Sequence, residues 1–177
     1  MVGVLVLGLV RRVSVALTAT ESRLALLGDI GFGGLRPGER VPEFRARTTS
    51  GEVVDRSYIL GEASVLLFMS SGCPACDALV DELRTHLFEP EVELVAVVES
   101  GADTTTLNGV DCRVLLQENS ELSRAFEVIA TPYAFAVDAS GLLHGGFLVH
   151  TISDLRRLAS TVKGGWISEH AAAALSS

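Results

Sequence analysis

Two periods of apolar and polar positions run through this chain, and they divide it into short strands and amphipathic helices. Val65-Leu66-Leu67-Phe68-Met69 is a continuous apolar run, as in a central strand covered on both faces. The segment after it changes to helical spacing. Cys76, Leu79, Val80, Leu83 and Leu87 fall on one face, while Asp77, Asp81, Glu82 and Arg84 face water. Residues 92–98 read as a second buried strand and residues 113–116 as a third. Residues 104–108 and 120–126 read as short helices, the second capped by Asn119 or Ser120. Residues 44–48 and 52–55 flank Thr49-Ser50-Gly51 as a hairpin. Residues 133–137 and 142–149 pair across the turn Asp138-Ala139-Ser140-Gly141. A last helix, capped by Ser153, buries Leu155, Leu158, Ala159 and Val162. Strands that alternate with helices and close on a hairpin make an α/β three-layer domain.

Glycine and proline mark where that domain starts. Gly31, Gly33, Gly34, Pro37, Gly38 and Pro42 punctuate a linker, so residues 1–34 separate from a domain at 35–163. After Gly164-Gly165, residues 164–177 read as a flexible Ala- and Ser-rich tail. The N-terminal run from Val2 to Val10 is almost wholly apolar and is followed by Arg11-Arg12. It is too short to span a bilayer, which needs about 20 residues. A secretory signal would carry its charges before the apolar run, not after it. The segment reads as a membrane anchor, whole or truncated, or as a short buried or interfacial helix.

Composition narrows the class. At 48% hydrophobic the chain is not disordered, and a formal charge of −8 without a basic cluster excludes a nucleic-acid partner. Three cysteines cannot build a disulfide scaffold. Two of them form Cys73-Pro74-Ala75-Cys76, and Cys112 stands alone as a small, half-buried residue of a strand.

A strand that leads through Ser70-Ser71-Gly72 into C-x-x-C and then a helix points to redox chemistry. Pro74 suits the first helical position, where its missing N–H costs nothing. Cys73 then sits at the helix N-terminus, whose unpaired N–H groups and positive dipole end stabilise a thiolate. Cys76 lies one turn on, within disulfide reach. One sulfur is exposed to attack and the other is placed to resolve a mixed disulfide. A zinc site would need two further ligands from Cys112, His86, His144 or His150, none of which forms a second close pair, so no metal is expected.

A second constellation, Ala130-Thr131-Pro132-Tyr133, leads into a strand. With the strand–C-x-x-C–helix unit before it, this order of elements resembles the thioredoxin fold. The resemblance implies a three-layer α/β/α sandwich with a mixed central sheet and an N-terminal hairpin extension. It implies a cis Pro132 across from the active-site helix, with Thr131, Pro132, Gly72 and Pro74 forming the substrate-binding rim. Within that superfamily the chain is most similar to the TlpA/MauD-type, extracytoplasmic and membrane-anchored thiol–disulfide oxidoreductases. Residues 36–162 carry the likeness, through Arg36-Pro37-Gly38-Glu39-Arg40-Val41-Pro42-Glu43-Phe44, the two cysteines, Val128 to Pro132, and Ala134 through Asp138 to Gly141. Such a protein needs no dissociable cofactor, because the Cys73–Cys76 pair holds the redox equivalents. Its partners are a protein thiol or disulfide and a membrane electron donor or acceptor. The resemblance implies a membrane-anchored redox domain outside the cytoplasm; without an anchor the chain would be cytoplasmic.

Two departures stand out. Gly72 replaces the usual Trp before the first cysteine, and Leu67 stands where many thioredoxins bury an acid. Two other readings share the fold. One is a redox-inactive binding or assembly module with a structural bridge. The other is a peroxiredoxin-like antioxidant enzyme, whose P-x-x-x-T-x-x-C pattern meets Leu66 and Ser70 in this chain.

Overall fold

The structure, a computed structural model, describes residues 33–89 and 91–174. The expectations placed on residues 1–32, the membrane anchor among them, lie outside the described residues. Among the described residues no helix is long and apolar enough to cross a membrane.

Seven strands form one mixed sheet in the order β2-β1-β5-β4-β3-β6-β7. They are β1 (Arg45–Thr48), β2 (Val53–Asp55), β3 (Ser64–Phe68), β4 (Glu93–Glu99), β5 (Arg113–Gln117), β6 (Tyr133–Val137) and β7 (Leu143–Leu148). The helices are α1 (Pro74–Thr85), α2 (Glu121–Ala125) and α3 (Ile152–Ala174), with 3-10 turns at Arg56–Ile59 and Thr104–Leu107. β3, β4 and β5 run parallel, while β6 joins β3 antiparallel and β7 follows it. The β1–β2 hairpin extends the sheet beyond β5. This is the α/β/α sandwich with a hairpin extension that the resemblance to the thioredoxin fold implied.

Strand periodicity decides which side chain meets which layer. Val65 and Leu67 of β3, Leu94 and Ala96 of β4, and Ala134 and Ala136 of β6 face α1 and α3. Leu66, Phe68, Val95, Val97, Phe135 and Val137 face the other way, toward Val41, Phe44, Ile59 and Leu122. Phe126, at the end of α2, stacks there on Phe68 and Phe135 with ring centroids 5.2 and 5.4 Å away. Every residue of β3 and β6 is buried, as expected for strands inside a sheet covered on both faces.

Four local expectations differ from the structure. α1 ends at Thr85, so Leu87 lies beyond it and is 83% exposed instead of joining the apolar face. Ser120 precedes α2 with φ of 56° and makes no side-chain cap; its N–H and hydroxyl donate to the Glu99 carboxylate instead. Ser153 lies inside α3, whose start is fastened by Thr151. The Thr151 hydroxyl accepts from the Asp154 N–H at 3.3 Å, and Asp154 accepts from the Thr151 N–H at 3.2 Å. This reciprocal pair is a capping box. Finally, α3 continues through Gly164-Gly165 to Ala174, where a flexible tail was expected. The four alanines 171–174 are the strongest helix formers and favour the continuation.

Candidate active site

The C-terminal end of β3 delivers the chain into the site. Met69 still donates its N–H to the Val97 carbonyl at 3.0 Å, and then Ser70-Ser71-Gly72 turn outward. Gly72 has φ of 70°, a left-handed conformation that glycine adopts without strain, and a side chain there would meet only open space. The turn favours that glycine where the thioredoxin pattern carries a bulky residue, and the rim is correspondingly low.

Cys73 is the residue before α1, with extended backbone angles, and Pro74 opens the helix. The Cys73 sulfur accepts from the Cys76 N–H at 3.2 Å, as a serine or threonine oxygen does at a helix start. Its carbonyl accepts from the N–H groups of Cys76 and Asp77 at 2.9 and 3.1 Å. Cys73 and Cys76 form a disulfide with their Cα atoms 5.2 Å apart. Cys76 is 3% exposed and belongs to the core of α1, whereas Cys73 is only half-buried. Leu67 is buried in the same core cluster as Cys76, so the position that would hold a proton-relaying acid is apolar.

The chain returns to the disulfide at Thr131. The Thr131–Pro132 peptide bond is cis, and Pro132 is buried with its carbonyl accepting from the Val149 N–H at 3.0 Å. The Thr131 carbonyl oxygen lies 3.6 Å from Cys73 Sγ, within reach of a thiol proton once the disulfide is reduced. The structure thus brings Cys73, Cys76, Thr131 and Pro132 together, with Gly72 exposed on the loop before them and Pro74 exposed at the first position of α1.

Cys112 is elsewhere. The β3–β4–β5 register sets Arg113 level with Val95 and Leu66, so Cys112 precedes the strands' midpoint while the disulfide lies past their far ends. Burial first, and the Asp111 carboxylate second, push its thiol up to about 11.

Two features of the site were missed in the sequence. Ser70 Oγ and Thr131 Oγ1 are hydrogen bonded at 2.6 Å across a separation of 61 residues. Ile129, 73% exposed, places an aliphatic side chain two residues before Thr131. Residues 69–75 and 128–132, which build the rim, contain no charged side chain.

Comparison with known proteins agrees with this geometry. The sequence profile of the AhpC/TSA family matches residues 37–145. The methylamine utilization protein MauD of Methylophilus methylotrophus is 26% identical over 168 residues, covering 91% of this chain and 77% of that protein. Among solved structures, a putative thiol:disulfide interchange protein DsbE from Chlorobium tepidum superposes with a TM-score of 0.59 at 21% identity, covering 73% of this chain and 97% of that one. A secreted Mycobacterium tuberculosis disulfide oxidoreductase homologous to E. coli DsbE gives 0.53 at 21% identity, covering 66% and 94%. With its thioredoxin fold, its Cys73–Cys76 disulfide and that profile match, the chain belongs to the AhpC/TSA family of thioredoxin-like proteins.

Proposed function

We propose that this protein is a thiol–disulfide oxidoreductase acting on protein substrates. The observation that carries the reading is the meeting of a helix-start disulfide with the turn before Pro132, which sets the Thr131 carbonyl 3.6 Å from the Cys73 sulfur. Cys73, the more exposed sulfur, is the nucleophile. Its thiolate, favoured by the Cys76 N–H and the helix dipole, attacks a substrate disulfide and expels one substrate thiolate. Cys76 then attacks Cys73 Sγ, closes the intramolecular disulfide and releases the second substrate thiolate. A substrate strand pairs with the backbone of Thr131 beside Pro132 while its sulfur meets Cys73. The redox equivalents stay in the two cysteines, and no dissociable cofactor takes part.

The likeness to a secreted disulfide oxidoreductase supports work outside the cytoplasm. In this reading a membrane electron donor or acceptor restores the cysteine pair. Family membership does not bring peroxide reduction with it. The proline and threonine of the peroxidatic pattern are replaced by Leu66, buried in β3, and by Ser70, whose hydroxyl is engaged with Thr131.

Paired substitutions test the assignment. Cys73→Ser abolishes disulfide exchange with a protein substrate. Cys76→Ser leaves a mixed disulfide on Cys73 that non-reducing electrophoresis and mass spectrometry detect. In the reduced wild type, Cys73 alkylates faster than Cys76. Equal alkylation of the two sulfurs, or full activity in Cys73→Ser, refutes these roles.

A further inference from the structure

β3 and β6 pair antiparallel from Ser64↔Val137 through Phe68↔Tyr133. Continuing that register two residues along each strand sets Ser70 opposite Thr131. The backbone ladder does not reach this step. Pro132 has no N–H to give, and the Met69 N–H is taken by Val97 of β4. The two hydroxyls close the gap instead, Ser70 Oγ to Thr131 Oγ1 at 2.6 Å. Among the described residues no hydrogen bond uses the Thr131 N–H, and the Thr131 carbonyl faces the Cys73 sulfur.

We propose that Ser70 is a positioning residue for substrate exchange: its hydroxyl fastens the Thr131–Pro132 turn to the cysteine loop through side chains, which leaves the Thr131 backbone open to a substrate strand. The inference rests on the oxidoreductase reading and adds a named residue to it. Its physical content is a division of labour within one register step. A backbone pair at this position would hold the turn equally well, but it would consume the groups the substrate needs. A side-chain pair holds the turn and leaves all of them available. Because reacting sulfurs must line up to within a fraction of an ångström, a turn that drifts relative to Cys73 slows exchange even when both cysteines are intact. A small disulfide that makes no backbone pair is indifferent to the turn.

The test uses reduced full-length protein and two probes with the same leaving group. One is a short extended peptide with a single cysteine as its mixed disulfide with nitrothiobenzoate, and the other is the symmetrical nitrobenzoate disulfide. In the first step the Cys73 thiolate bonds to the peptide sulfur, and nitrothiobenzoate leaves with the electron pair. Cys76 then displaces the peptide thiolate, which takes up the Cys76 proton. The enzyme dithiol is oxidised and the peptide disulfide reduced. Ser70→Ala should raise the half-saturating peptide concentration about tenfold, the scale of one hydrogen bond, and change the rate with the symmetrical reagent by less than about twofold. Ser70→Thr, which keeps the hydroxyl, should restore the peptide reaction. An unchanged peptide reaction in Ser70→Ala, an equal loss with both probes, or no rescue by threonine overturns the role of Ser70 while leaving the oxidoreductase reading intact. A wild type that exchanges with neither probe overturns both.

Discussion

Three sulfurs illustrate how much one residue's surroundings decide. Cys73 and Cys76 are joined at a helix start, where the Cys76 N–H points at the Cys73 sulfur, and Cys112 has neither a disulfide partner nor a helix. Its half-buried position and the Asp111 carboxylate push its thiol up to about 11 from an ordinary value of 9.0. Below about pH 9 it is therefore protonated and a poor nucleophile. Reduced protein treated with iodoacetamide near pH 8 should label Cys112 last, and Cys112→Ala should exchange disulfides within about twofold of wild type. Between about pH 9 and 11 the unfolded chain ionises this thiol while the folded one retains the proton, so stability falls as pH rises through that window. Cys112→Ala should flatten that part of a pH–denaturation profile; an unchanged slope would show that another group carries it. The cysteine pair was legible in the sequence because its chemistry depends on a spacing of three. Ser70 was not, because its partner is distant in sequence and only the β3–β6 register reveals the pairing.

Elements were easier to find than their ends. The central strands could be read from unbroken apolar runs, and the amphipathic face of α1 from its helical spacing, except that Leu87 continues the pattern past the helix. Just before Leu87, His86 turns to extended backbone angles and ends the helix, while the Thr85 hydroxyl donates to the Glu82 carbonyl at 3.0 Å. The start of α3 offers two cap-type residues, Thr151 and Ser153. What separates them is the third residue on: Asp154 follows Thr151 and accepts the return bond, whereas Arg156 follows Ser153 and has no acceptor to offer. Thr151→Ala should lower stability by about 1 kcal/mol in urea unfolding, while Ser153→Ala stays within about 0.5 kcal/mol. The reverse order would move the cap to Ser153. Beneath α3, Ala96, Ala134 and Ala136 present small side chains on the sheet face shared with Leu155, Leu158 and Ala159, a complementarity that hydropathy alone does not display.

Across the whole molecule, the layer architecture was legible because alternation within strands and spacing within helices agree on two buried faces. Strand order was not, since nothing local in residues 45–55 says that the hairpin pairs with β5 and not with β7. The candidate site was half legible: the cysteines and the turn at Thr131-Pro132 carry recognisable signals, but their meeting depends on β3 lying beside β6. One property of that site has consequences for how a partner arrives. The chain carries a formal charge of −8, yet the rim formed by residues 69–75 and 128–132 has no charged side chain. Long-range attraction or repulsion is therefore set by the rest of the surface, and the final contact by shape and backbone pairing. Screening lengths shrink from about 30 Å at 0.01 M salt to about 8 Å at 0.15 M. Over that range the exchange rate with a neutral cysteine peptide should hardly move, a basic peptide should slow and an acidic one should speed up, as stopped-flow measurements at the two ionic strengths would show. A neutral peptide with strong salt dependence would place charge at the rim after all. If the rim is neutral, the protein selects its partners by their docked fit, and the surrounding field only decides how often they collide.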